Sequence, residues 1–425
     1  MNMKKYSPIA ALALAAAMLC SCAAEPAAED AADEEEAAEA QTLTVADPDY
    51  YTRFKGQNIS INVYNWGEYI CTGADEGTLN VNAEFTALTG IKVNYTNYAT
   101  NEELYAKLKG GGASYDIIIP SDYMINKMIK EKMIQKLDYD NIPNFGYIMP
   151  NFRNLEYDPE NEYSVPYTWG TVGIIYDETM IDIPPEEIDW DILWNEDYLD
   201  NILMFDNPRD AFAIAEIKCG YSLNTEDSEE LTKAADELKA QKRIVQAYVM
   251  DEIFDKMGAG DALIAPYYAG DALTIMEEND SLNFVVPKSG TNLFVDAMCI
   301  PTSSKQKEAA EMYINFMCEP DIAYANIDYI CYSTPHSAAF DMLDEEVSSN
   351  PVSYPDQDFI AEKTTVFVNL SDEANLEMQT LWMEMKSAED ENANTWIMPA
   401  FLIACIVFMI AVQVRRYIKN KKDIF

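Results

Sequence analysis

The 425-residue chain reads as an α/β protein with at least two mainly parallel sheets. Three observations predict this. Segments of strand character alternate with segments of helical spacing, the rhythm of βαβ units. The rhythm runs once through the first half and returns in the second. Between the two hydrophobic ends lie about 335 residues, 57 to 392, more than a single core usually serves, so two domains are expected.

In chain order, Ile59 to Tyr64 is β-rich and alternating. Leu79 to Leu88 has helical spacing and stops at Gly90, a residue suited to the left-handed turn that ends helices. Ile91 to Tyr98 is the next strand, Glu102 to Lys109 a helix closed by three glycines, and Tyr115 to Ile119 a buried strand. Asp122 to Lys132 again spaces its apolar residues as a helix. Later come a strand at Ile202 to Phe205, helices over 209–218 and 228–241, and a strand at Ala262 to Pro266.

The two ends carry membrane signals. Lys4 and Lys5 precede an Ala/Leu/Met run, Ile9 to Leu19, too short to span a bilayer, and Leu19-Cys20-Ser21-Cys22 follows. This is the layout of an export signal, and the Leu-x-Ser-Cys ending resembles a bacterial lipoprotein cleavage box. Cys22 would become the lipidated first residue, with 1–21 removed as signal peptide. At the other end, Trp396 to Val414 is uncharged and long enough for a transmembrane helix, and Arg415, Arg416, Lys419, Lys421 and Lys422 follow. Basic residues stay on the cytoplasmic side, so 415–425 is a cytoplasmic tail and the body faces outward. The body is therefore expected on the outer face of the bacterial cytoplasmic membrane, lipid-anchored and single-pass, in a periplasmic or extracellular position.

The formal net charge is −44. Residues 23–50 hold ten acids and no basic residue, and few apolar groups larger than alanine. Such a stretch cannot bury enough surface to offset its ordering entropy, so 22–56 reads as a lipidated, acidic, disordered linker. The body remains acidic, which excludes nucleic acid as a partner and suits cationic solutes. The body cysteines Cys71, Cys219, Cys299, Cys318 and Cys331 are scattered, without metal-ligand spacing. No metal or other cofactor is expected. Cys318 and Cys331 could pair, and the sequence does not decide it.

Parallel sheets bind ligands at the carboxyl ends of their strands. There the sequence repeatedly places an aromatic beside a carboxylate: Trp66-Gly67-Glu68-Tyr69, Ser121-Asp122-Tyr123, Asp206 to Asp210, Tyr267 to Asp271, Phe294-Val295-Asp296 and the stretch from Tyr332. Aromatic walls with acidic ends suit ammonium groups separated by methylenes. Each ammonium over a ring gains about 0.5–2 kcal/mol. A carboxylate about 4 Å away adds roughly 4 kcal/mol near a dielectric of 20, before desolvation. Each buried methylene adds about 0.8 kcal/mol. Micromolar binding needs about −8 kcal/mol net, so two paired ammoniums and a short linker suffice.

On these residues the chain resembles the spermidine/putrescine-binding proteins, the extracellular receptors of polyamine ABC importers. The resemblance covers about 59 to 385. It is carried by Val63 to Tyr69, Asn101 to Leu108, Tyr115 to Tyr123, Ser164 to Gly170, Asp206 to Phe212, Cys219 to Ser222 and Asn315-Phe316-Met317. It implies a two-lobe periplasmic-binding-protein fold, type II-like. The first lobe would take 57–165 and 294–335, the second 166–293 and 336–392. It also implies a polyamine cleft lined by Trp66, Glu68, Tyr69, Ser121 and Tyr123 from one lobe, with Asp206, Asp210, Tyr268, Asp271, Phe294, Asp296 and Tyr332 completing it. Asn207 falls where some spermidine receptors have Asp, with Asp206 as its substitute. Asp271 stands where putrescine receptors carry Asp and some spermidine receptors Ser. The loop Thr72 to Thr78 is an addition near the cleft. Partners implied are an ABC permease and, through it, an ATPase.

Other readings are weaker. Ser304-Lys305-Gln306-Lys307, Ser281-Leu282-Asn283 and Lys288-Ser289-Gly290 mimic the penicillin-binding motifs, but in the wrong order. His336 is the single histidine, which leaves a His-based triad one candidate. No enzyme activity is expected. A polyamine sensor signalling through the C-terminal helix, or a receptor for another cationic solute, keeps the same fold.

Overall fold

The computed structural model describes residues 44–388, apart from Glu76 and Ala113. The signal segment, Cys22, most of the acidic linker, the 396–414 apolar run and the basic tail lie outside the described residues. Among the described residues no helix is long and apolar enough to cross a membrane.

Strand β1 (Ser60–Trp66) pairs in parallel with β2 (Lys92–Tyr98) on one side and β3 (Ile117–Ile118) on the other. The helices between them begin and end where local chemistry directs. Helix Val81–Thr89 closes on Gly90 at φ 75°. Thr100 caps helix Asn101–Lys109 by accepting from the Glu103 amide at 3.1 Å. In the second half, β5 (Ile202–Phe205) pairs in parallel with β6 (Val245–Val249) and β7 (Ile264–Tyr268). Helices Pro208–Lys218 and Ser228–Gln241 stand within a residue of their expected spans.

The crossing strands depart from the parallel pattern. Strand β4 (Ser164–Asp177) is fourteen residues long and buried throughout. Its first half runs antiparallel to β9 (Thr291–Cys299) in the first sheet. Its second half runs antiparallel to β7 and to β8 (Leu282–Val285) in the second. A short β10 (Thr364–Val366) lies parallel to β9. The strand order β2-β1-β3-β9-β4-β7-β5-β6 is thus two parallel units joined through an antiparallel pair.

Each unit has its own core. One cluster packs Ile61, Val63, Phe85, Ile117, Tyr313 and Phe316, and the other Trp190, Phe205, Phe212, Ile253 and Ile264, all fully buried. Burial of each such side chain is worth about 1.5–3 kcal/mol. Leu343, Tyr354 and Ile360 pack against the first cluster, although the second lobe was expected to resume at 336. Val352 and then Leu370, Met378 and Trp382 pack against the second.

The two ends of the described chain dock on different clusters. The last part of the expected disordered linker, from 44 on, is instead ordered because Tyr51 is buried in the first core. The Thr44 and Ala46 amides donate to Asp321 Oδ2 and Glu319 Oε2, each at 3.0 Å, and Tyr51, buried in the first cluster, donates its hydroxyl to Glu319 Oε1 at 2.6 Å. Helix Asp372–Ser387 packs on helix Ser228–Gln241 of the second unit. Lys242 Nζ donates to the carbonyls of Met385, Lys386 and Ala388 at 2.7–3.2 Å, a cation at a helix C-terminus.

The five body cysteines are free, so Cys318 and Cys331 are not paired. Ser304 donates to Asp116 Oδ1 at 2.6 Å and is buried. His336 caps helix Ser337–Met342 by accepting at Nδ1 from the Ala339 amide at 3.0 Å.

Candidate binding cavity

The sheets bring their loops to a small cavity of about 50 Å³ between the two cores. From the first unit, β1 ends at Trp66, whose Nε1 donates to the Ile119 carbonyl at 2.8 Å while its ring lies 4.6 Å from that of Tyr98. Tyr69 and Tyr332 meet edge to face at 4.7 Å. Ser121 precedes helix Asp122–Lys130 and is held by Asn101, which accepts from its amide at 3.1 Å and donates to its hydroxyl at 3.0 Å. Asp122 turns away from the cavity. It accepts from the Tyr123 amide at 2.6 Å and the Val295 amide at 3.1 Å, fastening the helix start to β9.

Strand β9 supplies Asn292, Phe294 and Asp296 from one face, as the two-residue period requires. Phe294 meets Tyr268 at 5.5 Å and Tyr332 at 6.2 Å, ring to ring. Asp296 is 4% exposed; its Oδ2 accepts from the Tyr69 hydroxyl at 2.6 Å, and that hydroxyl also contacts Thr168 Oγ1. From the second unit, Pro208 at the first turn and the Asn207 cap, which accepts from the Arg209 amide at 3.0 Å, start the helix that carries Asp210. Asp210 Oδ2 accepts from Asn207 Nδ2 at 2.6 Å and the Tyr268 hydroxyl at 2.7 Å. Asp271 stands in the first turn of helix Ala269–Glu278 and lines the cavity.

The charged residues that line the cavity are Asp210, Asp251, Asp271 and Asp296, all acidic. The guanidinium of Arg209 is buried 4.3 Å from the Phe367 ring centroid and spends Nη2 on Asn224 and the Val368 carbonyl. Burial therefore dominates the cavity acids. It pushes Asp296 up to about 6 and Asp210 up to about 7, and holds Asp271 and Asp251 above the ordinary carboxylate range. Among the described residues, Asp296 Oδ1 and Asn292 Oδ1 have no hydrogen-bond partner. An unpaired buried acceptor costs about 1–3 kcal/mol, so the cavity is arranged for a guest that donates.

Ten of the twelve expected residues line this cavity: Trp66, Tyr69, Ser121, Tyr123, Asp210, Tyr268, Asp271, Phe294, Asp296 and Tyr332. Two do not. Glu68 is exposed at φ 42° and faces a neighbouring groove, because the turn after β1 sends alternate side chains to opposite sides. Asp206 is also exposed, and Lys386 Nζ donates to its Oδ1 at 2.9 Å; the helix cap directs Asn207 inward instead. Phe294 and Asp296 were expected at a strand end and lie within β9. Tyr332 follows helix Pro320–Ile330 rather than a strand. The sequence reading missed Asn292, Asp251 and Phe367. The period of two through 292, 294 and 296 signals the first, and the end of β6 signals the second.

An acidic cavity between two lobes joined by long crossing strands defines a two-lobe solute-binding protein. The chain belongs to the bacterial extracellular solute-binding protein family, whose model matches residues 113–363. A spermidine/putrescine-binding periplasmic protein of Salmonella typhimurium is 37% identical over 305 residues, 72% of this chain and 85% of that one. A putrescine-binding periplasmic protein of Pseudomonas aeruginosa is 30% identical over 351 residues, 78% of this chain and 93% of its own. A solved structure from Listeria monocytogenes, described as a spermidine/putrescine ABC transporter, shares 36% identity and covers 77% of this chain and 99% of its own at a TM-score of 0.73.

Proposed function

We propose that this protein is an extracellular polyamine receptor that delivers putrescine or spermidine to an ABC permease driven by an intracellular ATPase. The observation that carries it is the lining: four carboxylates and a wall of rings, without a cationic residue among them. Alkyl ammoniums satisfy both parts at once, the charge on carboxylate and ring face and the methylenes between rings. The ten gathered residues are the contacts, Asp296 and Asp210 meeting ammoniums and Trp66, Tyr69, Tyr268, Phe294 and Tyr332 forming the walls. The site takes no cofactor and performs no chemistry; binding and release are the whole function.

Capture works by closure. The two units turn about β4, β9 and the segment after β10, and the ligand favours the closed form only by what it contacts better there. The linker ahead of Thr44, lipidated at Cys22, and the 396–414 helix hold the receptor at the outer face of the membrane, near its permease.

Titration calorimetry of the full-length chain with putrescine, spermidine, spermine, arginine and maltose tests this. Heat is expected with the polyamines alone. Asp296→Asn leaves a buried ammonium without its counter-charge, a loss of about 2–5 kcal/mol, which is roughly 30-fold in Kd or more. Binding of maltose but no polyamine would sink the reading.

A further inference from the structure

One carboxylate that the cavity uses comes from outside the expected set. Asp251 ends the turn after β6 and begins helix Glu252–Gly258, so the second unit carries it. Its side chain does not cap that helix and, among the described residues, makes no hydrogen bond or ion pair. A Cβ on Gly67 would collide with its carboxylate. The acid thus reaches across the cleft to the opposite unit, at a point where the wall has no side chain. Beyond Gly67 the surface continues into a groove holding Glu68, Asp75, Glu277, Glu278 and Asp328, with no lysine or arginine.

The cavity acids share one lining, and Asp251, against Gly67, is the one beside the groove that holds Glu68. Asp210 feels the charge of Asp296, Asp271 feels Asp251, Glu68 and Asp296, and Asp251 feels Glu68 and Glu252. Inside the cavity Asp296 Oδ1 and Asn292 Oδ1, in side chains each 4% exposed, await donors. A short diamine supplies two charged ends, which Asp210, Asp296 and Asp271 absorb. Asp251, beside the adjoining groove, then faces no positive charge. A longer polyamine reaches it, and among the described residues lining the cavity and the groove none is cationic.

Resting on the polyamine reading above, we infer that Asp251 is a specificity-determining residue that holds the outer terminal ammonium of ligands longer than putrescine. The site is thereby tuned to a triamine, with the diamine bound by the inner acids alone.

Calorimetry on full-length wild type, Asp251→Asn and Asp251→Lys tests this with putrescine, spermidine and 1,8-diaminooctane, which matches spermidine in length. Loss of one charge-assisted contact predicts spermidine and 1,8-diaminooctane weakened about tenfold or more by Asp251→Asn. The Lys variant weakens them further, while putrescine stays within about twofold in Asp251→Asn. Equal losses for long and short ligands, or no loss for the long ones, would overturn the assignment while leaving the receptor a polyamine binder. A wild type that binds none of the three would overturn the polyamine reading itself.

Discussion

Asp296 and Asp210 sit where solvation is poor and hydroxyl donors are good, and the outcome of that contest sets how the site responds to pH. Tyr69 and Tyr268 each donate to a carboxylate, which lowers its pKa, yet desolvation wins and leaves Asp296 near 6 and Asp210 near 7. A bound dication requires them ionised, so binding expels the protons they hold. Affinity for putrescine is expected to rise between about pH 5.5 and 7.5, by up to tenfold per unit for each proton displaced. Calorimetry in buffers of different ionisation heat reads the same protons directly. A flat profile with no proton release would mean that these acids are already charged when empty. Most of these residues were legible because aromatic–acid pairs recur along the sequence. Glu68 and Asp206 misled, since neighbours in sequence face opposite ways in a turn or at a helix cap.

Elements that repeat the βαβ rhythm, β6 excepted, were recognised to within about two residues at each end, because periodicity and caps are local signals. Gly90, Thr100 and the Asn207-Pro208 start all act within one turn of themselves. The crossing strands were not recognised: β4 is buried on both faces, so its residues show no alternation, and its partners β9 and β7 lie about a hundred residues away. Where the two units meet, space is the limiting quantity. A Cβ on Gly270 would run into the Tyr332 ring, a contact between helix Ala269–Glu278 and the opposite unit. Gly270→Ala is therefore expected to obstruct closure, with overpacking of about 1–3 kcal/mol weakening putrescine roughly 5- to 150-fold. The melting temperature of the empty chain should hardly move. Unchanged affinity would show that the lobes need not approach this closely to bind.

Across the entire chain the buried acids act together on stability. Asp296 near 6, Asp210 near 7, Glu216 near 7 and Asp122 near 8 all stand above the unfolded value of about 3.9–4.3. The folded empty protein thus holds more protons than the unfolded chain between about pH 4 and 8. Their contribution is full below that window and is lost as pH rises through the folded values, so stability falls with pH there. The melting temperature of the ligand-free protein should drop from about pH 5 to 7.5, and the rise produced by putrescine should grow over the same range. Opposite slopes in a calorimetric scan would show that the cavity acids are not protonated when empty.

The docking of the two chain ends has a mechanical consequence. Thr44 and Ala46 are pinned to one jaw, and the carbonyls gathered by Lys242 to the other. Under the proposed anchoring, an acyl leash would root in the first jaw and a bilayer-crossing leash in the second, so every swing of the jaws would alter the spacing of the roots. The lipid surface would then be a party to the equilibrium, favouring whichever gape leaves both leashes slack.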